Sequence, residues 1–239
     1  MLLYFRRLRK KLIGERKLGK YIYYAIGEVI IVVLGILVAL QLNIWNQNRI
    51  FKKMEVQYYK SMNNQLDRDL YDLRGQIMYN QGYLDQFIYA NEIIKRNDRT
   101  QIDTLIKVSL KLVKYSDFRR SSNVFQTLIS SGEIKHIKNQ RVIENLQRLE
   151  ETYVFIDRLE EMHSTVILSQ VIPELRENIN WDTFVVLKKD HIYTFQFQNY
   201  FKIMKVLMEE KKSIYQYAEH IIISTIDLIE VELERYNGE

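Results

Sequence analysis

Apolar and polar positions along the chain fall into two regimes. Residues 24–46 read YAIGEVIIVVLGILVALQLNIWN, an apolar run with one ionisable side chain, Glu28. Ala25 to Ile44 is a stretch of 20 residues. At ~1.5 Å per residue a helix of that length covers ~30 Å, the thickness of the bilayer hydrocarbon. Tyr21, Tyr23 and Tyr24 stand at one end and Trp45 at the other, as aromatic belts do at the two membrane interfaces.

Beyond this run the period becomes that of an amphipathic helix. Leu66, Leu70, Leu73, Ile77, Leu84, Phe87, Asn91 and Ile94 recur three, four and seven apart, which predicts one long helix from the bilayer to about Arg96. A polar break over 95–99 follows. Thr100 then opens a T-Q-I-D capping box for a helix over Ile102–Tyr115. Ser116–Ser122 reads as a polar connection. Asn123 begins a short helix that Ser130-Ser131-Gly132 closes, with Gly at the position after the cap. Glu133–Lys138 is a turn, and Asn139 caps the next helix, which carries Val142, Leu146, Leu149, Tyr153, Ile156 and Ile167 until Pro173 kinks or ends it. Residues 178–182 form a loop around Trp181, and 184–187 a brief extended piece. A last long helix holds Phe201, Met204, Met208, Tyr215, Ala218, Ile222, Ile226, Ile229 and Leu233. The fold class expected is all-α: one N-terminal transmembrane helix continuing into an extramembrane antiparallel helical bundle. The expected segments are a basic cytoplasmic tail (1–20), the transmembrane helix (21–45), a juxtamembrane stalk (46–60) and a periplasmic helical domain (61–239).

Composition supports long helices, since 239 residues contain eight Gly and one Pro. The absence of Cys removes disulfides, thiol nucleophiles and cysteine-held metals together. The net charge of +5 is unevenly placed. Residues 1–20 carry eight Lys/Arg against Glu15 alone, whereas 61–239 hold 23 Lys/Arg against 27 Asp/Glu. The basicity flanks the membrane segment, so it is an anchor signature and not a nucleic-acid footprint. Eight basic residues before the segment, against Arg49, Lys52 and Lys53 just after it, put the N-terminus in the cytoplasm and the bundle in the periplasm. QLNIWNQNR after the run lacks a small-x-small cleavage site, which favours an uncleaved signal anchor.

Glu28 is costly in lipid unless it is neutralised, paired or functional. At 100° per residue it shares a narrow stripe with Gly35, Ala39 and Leu42, and Gly35-xxx-Ala39 is a small-xxx-small pair of the kind that lets helices approach closely. Three readings stand: helix packing, a glutamate snorkelling toward headgroups or Lys20, and proton or ion coupling. Glu28, Gly35 and Ala39 are the candidate membrane site.

The N-terminal run resembles that of a family of small single-span bacterial membrane proteins of unknown function. The resemblance rests on a K-Y-x-x-Y-A-I-G-E core at Lys20–Glu28, a G-I-L-V-A-L-Q run at Gly35–Gln41 and an N-x-W-N exit at Asn43–Asn46. A second match, F-x-x-L-x-x-S-G-x-x-x-x-I-x-N, falls on Phe125, Leu128, Ser131, Gly132, Ile137 and Asn139, as a structural turn motif. The resemblance implies topology and helical character, and no activity.

No catalytic constellation emerges. Glu160-x-x-His163 has the i, i+3 spacing of a di-iron ligand pair, but a second such motif is missing; His163 reads as a solvated or capping histidine. Glu150-Glu151, Glu160-Glu161 and Glu209-Glu210 read as solvated faces. Met204 and Met208 read as core. Neither a G-x-S-x-G elbow nor a phosphate-binding Gly loop is present. No cofactor, metal or nucleic-acid partner is expected. The expected partners are the lipid bilayer and either a second copy or a multi-span membrane protein. The function expected is a non-enzymatic inner-membrane protein whose bundle serves protein–protein contact as scaffold or accessory subunit. The alternatives are a proton-coupled stator-like subunit using Glu28 and a ligand sensor relaying to a partner.

Overall fold

The computed structural model describes residues 18–238. The basic tail before Leu18 and the side chains of Lys20, Tyr21 and Tyr24 lie outside the described residues. Among the described residues the chain is all-α, with one isolated antiparallel bridge, Ile179 to Val186, as its only extended pairing. The elements are α1 (Leu18–Lys95), α2 (Ile102–Ser109), α3 (Val124–Ser130), α4 (Gln140–Val166), α5 (Ile172–Asn178) and α6 (Phe195–Asn237). The chain divides into two compact units, one ending at Glu55 and one running from Val56 to Glu239.

The described part of the first unit, from Leu18, is helix. Within α1 the run from Ala25 onward is long and apolar enough to cross a membrane, and none of its most apolar window is buried. Glu28, Gly35 and Ala39 are not buried either, and nothing would meet a side chain added at Gly35.

Local chemistry in the second unit matches the sequence pattern with two corrections. The side chain that caps the segment after α1 is Asp98, not Thr100: its Oδ1 accepts from the Thr100 N–H at 3.1 Å, and a 3₁₀ turn (Arg99–Gln101) intervenes before α2. Asn97 has to turn the chain at φ 49° to reach that geometry, a conformation that asparagine tolerates. The α-helix stops at Ser109 and a 3₁₀ turn ends it at Val113, short of Tyr115. The capping residues at Asn123 and Asn139 are as read, and Gly132 takes φ 73° after α3, where a β-carbon would be strained. Pro173 lacks an N–H and crowds the carbonyl four residues back, and the helix opens into a π turn over Ile167–Val171 just before it.

Three long helices build the second unit. Arg74 bonds Glu219 and Asn80 bonds the Met208 carbonyl, while Asn139 bonds Glu232 and His163 meets Met204. α6 therefore runs antiparallel to both α1 and α4. Tyr59 meets Asn139 and Asp69 meets Tyr153, so α1 and α4 run the same way, and the α2–α3 region returns the chain between them. The core is in two layers. Leu84, Phe87, Leu105, Ile167, Ile192, Phe201 and Met204 belong to one, and Tyr59, Leu66, Leu73, Val142, Tyr153, Ile156 and Ile222 to the other.

Asn139 stitches two of these helices. Its Oδ1 accepts from the Arg141 and Val142 N–H groups at 3.0 and 3.3 Å, and its Nδ2 donates to Glu232 at 2.8 Å. We expect Asn139→Ala to lower unfolding stability by ~1–2 kcal/mol, read from urea denaturation of the protein in mild detergent. An unchanged midpoint would show that the cap contributes nothing.

Candidate functional site

The stripe that buries α4 against its neighbours passes through Leu146, Leu149, Tyr153, Ile156, Glu160, His163 and Ile167, so Glu160 and His163 occupy core positions. On α6 the stripe runs Phe201, Met204, Met208, Lys211, Tyr215, Ala218, and on α1 it includes Asp69, Leu73, Asn80, Leu84 and Phe87. Asn80, His163 and Lys211 have no exposed surface, and Glu160 is 6% exposed. These polar positions lie between the two apolar layers on all three helices.

Opposite them runs an irregular strap, residues 114–123, linking the turn after α2 to α3. Its backbone enters the interior and has no helix or sheet to bond to. Side chains of the three long helices supply the partners. Gln76 Oε1 accepts from the Asp117 N–H at 3.0 Å, and Lys211 Nζ donates to the Ser116 carbonyl at 2.8 Å. Glu160 Oε1 accepts from the Phe118 N–H at 2.8 Å and from the Tyr215 hydroxyl. Asp69 Oδ1 accepts from the Ser121 N–H at 2.7 Å. Gln65 takes both a carbonyl and an amide, donating to Ser122 at 2.7 Å and accepting from Val124 N–H at 2.9 Å. Unbonded, the buried Phe118 N–H or Ser116 carbonyl would cost roughly 1–3 kcal/mol. Side-chain links complete the network: with the Tyr215 proton given to Glu160, Ser116 Oγ lies 3.2 Å from the Tyr215 hydroxyl oxygen and 3.4 Å from Asn80 Oδ1, and Tyr153 donates to Asp69 Oδ2 (3.1 Å). Arg120 closes the outer edge on Glu150 at 2.6 Å.

Burial sets the electrostatics. Desolvation pushes the Glu160 carboxyl up to about 7, although the Phe118 N–H, the Tyr215 hydroxyl and Lys211 pull the other way. Desolvation brings the Lys211 amine down to about 8, with Glu160 and Asp117 resisting. It brings His163 down to about 3, with Lys211 adding to the effect. The neutral imidazole meets Met204 Sδ at 3.0 Å and packs on the Tyr115 ring at 5.4 Å, and its Nδ1 is a buried atom without a partner. Two of the solvated roles expected from sequence are thereby corrected: His163 and Glu160 are interior residues, because both lie on the apolar stripe of α4. Glu151, Glu161, Glu209 and Glu210 are exposed as expected, and Met204 and Met208 are core.

Two grooves flank the strap and share Asp117, Phe118 and Arg119. One, of about 400 Å³, also meets Tyr115, Arg120, Asp157, Glu160, Glu161 and Ser164. The other, of about 600 Å³, also meets Tyr71, Asp72, Arg74, Gly75, Gln76 and Met78. Perturbed ionisable groups beside a groove are a common mark of a functional site, but here the donors and acceptors are directed at the protein's own backbone. No group of His, Asp or Glu among the described residues is arranged to hold a metal ion.

The residues singled out from sequence are elsewhere. Glu28, Gly35 and Ala39 lie on the exposed apolar part of α1. Phe125 and Leu128 are buried in the second core layer, Ser131 donates to the Leu128 carbonyl at 3.3 Å, and Gly132 and Asn139 make the turn and cap. These form a local structural turn. The belt of Glu160, Lys211 and Ser116 was missed, and the signal for it was polar residues occurring in register with an apolar stripe. No family model matches the chain, and neither a curated protein nor a solved structure matches it.

His163 offers a test of the burial argument. Its folded-state value lies below the ordinary 6.5, so the unfolded chain binds the proton more readily and stability is lost as pH falls below 6.5. Relative to wild type, His163→Leu should gain on the order of 2 kcal/mol between pH 7.5 and pH 5, measured as the difference in unfolding free energy. A difference independent of pH would refute a neutral buried imidazole.

Proposed function

We propose that the protein is a single-pass protein of the bacterial inner membrane, anchored by Ala25–Ile44 with its N-terminus in the cytoplasm. Its helical bundle acts in the periplasm as a non-enzymatic module for protein–protein contact, a scaffold or accessory subunit. The observation that supports this most is that no residue in the most apolar window of α1 is buried. A soluble core helix would be covered by its own chain, and an uncovered apolar surface of this length is matched by lipid or by another helix in lipid. The resemblance of the N-terminal run to single-span membrane proteins points the same way. The non-enzymatic part is supported by the polar belt, whose groups are engaged with the strap.

A ligand-sensing role is the second reading, favoured by the two grooves beside the strap. Because the chain has no Cys, topology can be tested with single introduced thiols. We expect Glu151→Cys to react with a membrane-impermeant maleimide in cells whose outer membrane is permeabilised, and Lys11→Cys to react only after lysis. Extraction in mild detergent should then return either a self-oligomer or a complex with a stoichiometric partner. Release of the protein by carbonate washing, or labelling of Lys11→Cys in intact cells, would overturn the anchored topology. Loss of self-association in Gly35→Ile and Ala39→Ile would place the contact on the small-residue stripe. A multi-span partner whose assembly survives Glu28→Gln while function is lost would favour the proton-coupled alternative.

A further inference from the structure

The strap is joined to its surroundings at a carboxylate that is buried yet borders solvent. Glu160 is 6% exposed and lines the groove of about 400 Å³. One oxygen takes both the strap's Phe118 N–H and the Tyr215 hydroxyl of α6. Tyr215 passes the connection to Ser116, whose carbonyl is held by Lys211. A single carboxylate thus ties two strap residues to two helices. Its proton can arrive from the groove without the bundle opening. We propose that Glu160 is a proton-responsive latch, so that protonation of its carboxyl holds the 116–122 strap closed and ionisation loosens it, changing the shape of both flanking grooves.

The direction follows from linkage. Opening the strap returns Glu160 to water, where its ordinary value is 4.5, against about 7 when closed. The closed state therefore binds the extra proton between those limits, and acidification favours closure. Charged and titratable groups face this carboxylate from each neighbouring element. From α6, Lys211 titrates at about 8 and stays charged in both states across the acidic side of neutrality, so it adds almost no slope there; Tyr215 is held above its ordinary value by burial and stays neutral. On the strap, Arg119 pairs with Asp117 and Arg120 with Glu150 on α4. On α4, Asp157 and Glu161 are exposed, and His163 packs on Tyr115, before the moving part of the strap. α1 presents the neutral Asn80 and Gln76 amides, the Asp69 carboxylate, which holds the strap's Ser121 N–H at 2.7 Å, and, at the second groove, Asp72 and Arg74.

Hydrogen exchange of the full-length protein in lipid nanodiscs tests the latch. Protection of peptides covering 116–122, corrected for the intrinsic pH dependence of exchange, should rise by on the order of tenfold from pH 8 to pH 5.5 in wild type. Glu160→Gln, which keeps an acceptor oxygen, should flatten that rise, while His163→Leu leaves it in place. Equal protection at both pH values in wild type would overturn the proposal. So would a rise that survives in Glu160→Gln, or one lost in His163→Leu. Were Glu160→Gln to misfold, Tyr215→Phe gives a second reading: it removes one of the two bonds to the ionised oxygen and should shift the midpoint of the rise to higher pH. An unmoved midpoint there would also count against the latch.

Discussion

The three long helices depend on one constraint: an irregular strap passes between them, it is buried at Ser116 and Phe118, and backbone groups taken out of water need partners. The strap between α2 and α3 has no ladder to join, so the three long helices lend it side chains. Gln65 and Asp69 from α1, Glu160 from α4 and Lys211 from α6 each bond a strap backbone group. The same bonds set the register of the helices, because a one-turn slip of α4 or α6 would leave strap groups unbonded and a charge buried. Hydrophobic packing brings the helices together without direction; the polar belt selects which rung meets which.

The belt also explains the unusual ionisation there. Glu160, Lys211 and His163 are all displaced toward their neutral forms, with desolvation as the first cause in each case. A charge pair that is removed from water gains little unless its remaining valences are filled. Here they are filled largely by backbone, through Phe118 and Ser116. The arrangement therefore supplies specificity of fold, while the shifted carboxyl beside a groove gives it a response to protons.

The outer half of the protein's logic is simpler. From Leu18 to Glu55 the described chain is one helix, and no residue of its most apolar window is buried. Burial within this chain does not stabilise its most apolar window, which is long and apolar enough to cross a membrane. Glu28, Gly35 and Ala39 lie open on it, which is what a face for another helix in lipid would present.

How much of this could be read from residues alone follows from the range of each interaction. Helix existence, Asn123, Gly132 and Asn139 as caps and turns, and the break near Lys95 are local effects, decided within a few residues, and the pattern predicted them. The apolar run of Ala25–Ile44 is likewise local, since length and composition suffice to make a helix fit to span a bilayer. Asp98 as the cap in place of Thr100 was a near miss between two competent neighbours. The roles of Glu160, His163 and Lys211 were not local. Glu160 looked like one half of a solvated acidic pair, yet its place on the stripe with Ile156 and His163 put it inside. What it bonds is a strap 42 residues away in sequence, and only the assembled helices bring that strap to it. The sequence by itself determined which segments are helical and which is fit for lipid, because those depend on short-range sterics and on transfer from water. The tertiary structure alone decided which charged side chains became the interior scaffold, because desolvation and backbone satisfaction exist only once distant segments are packed.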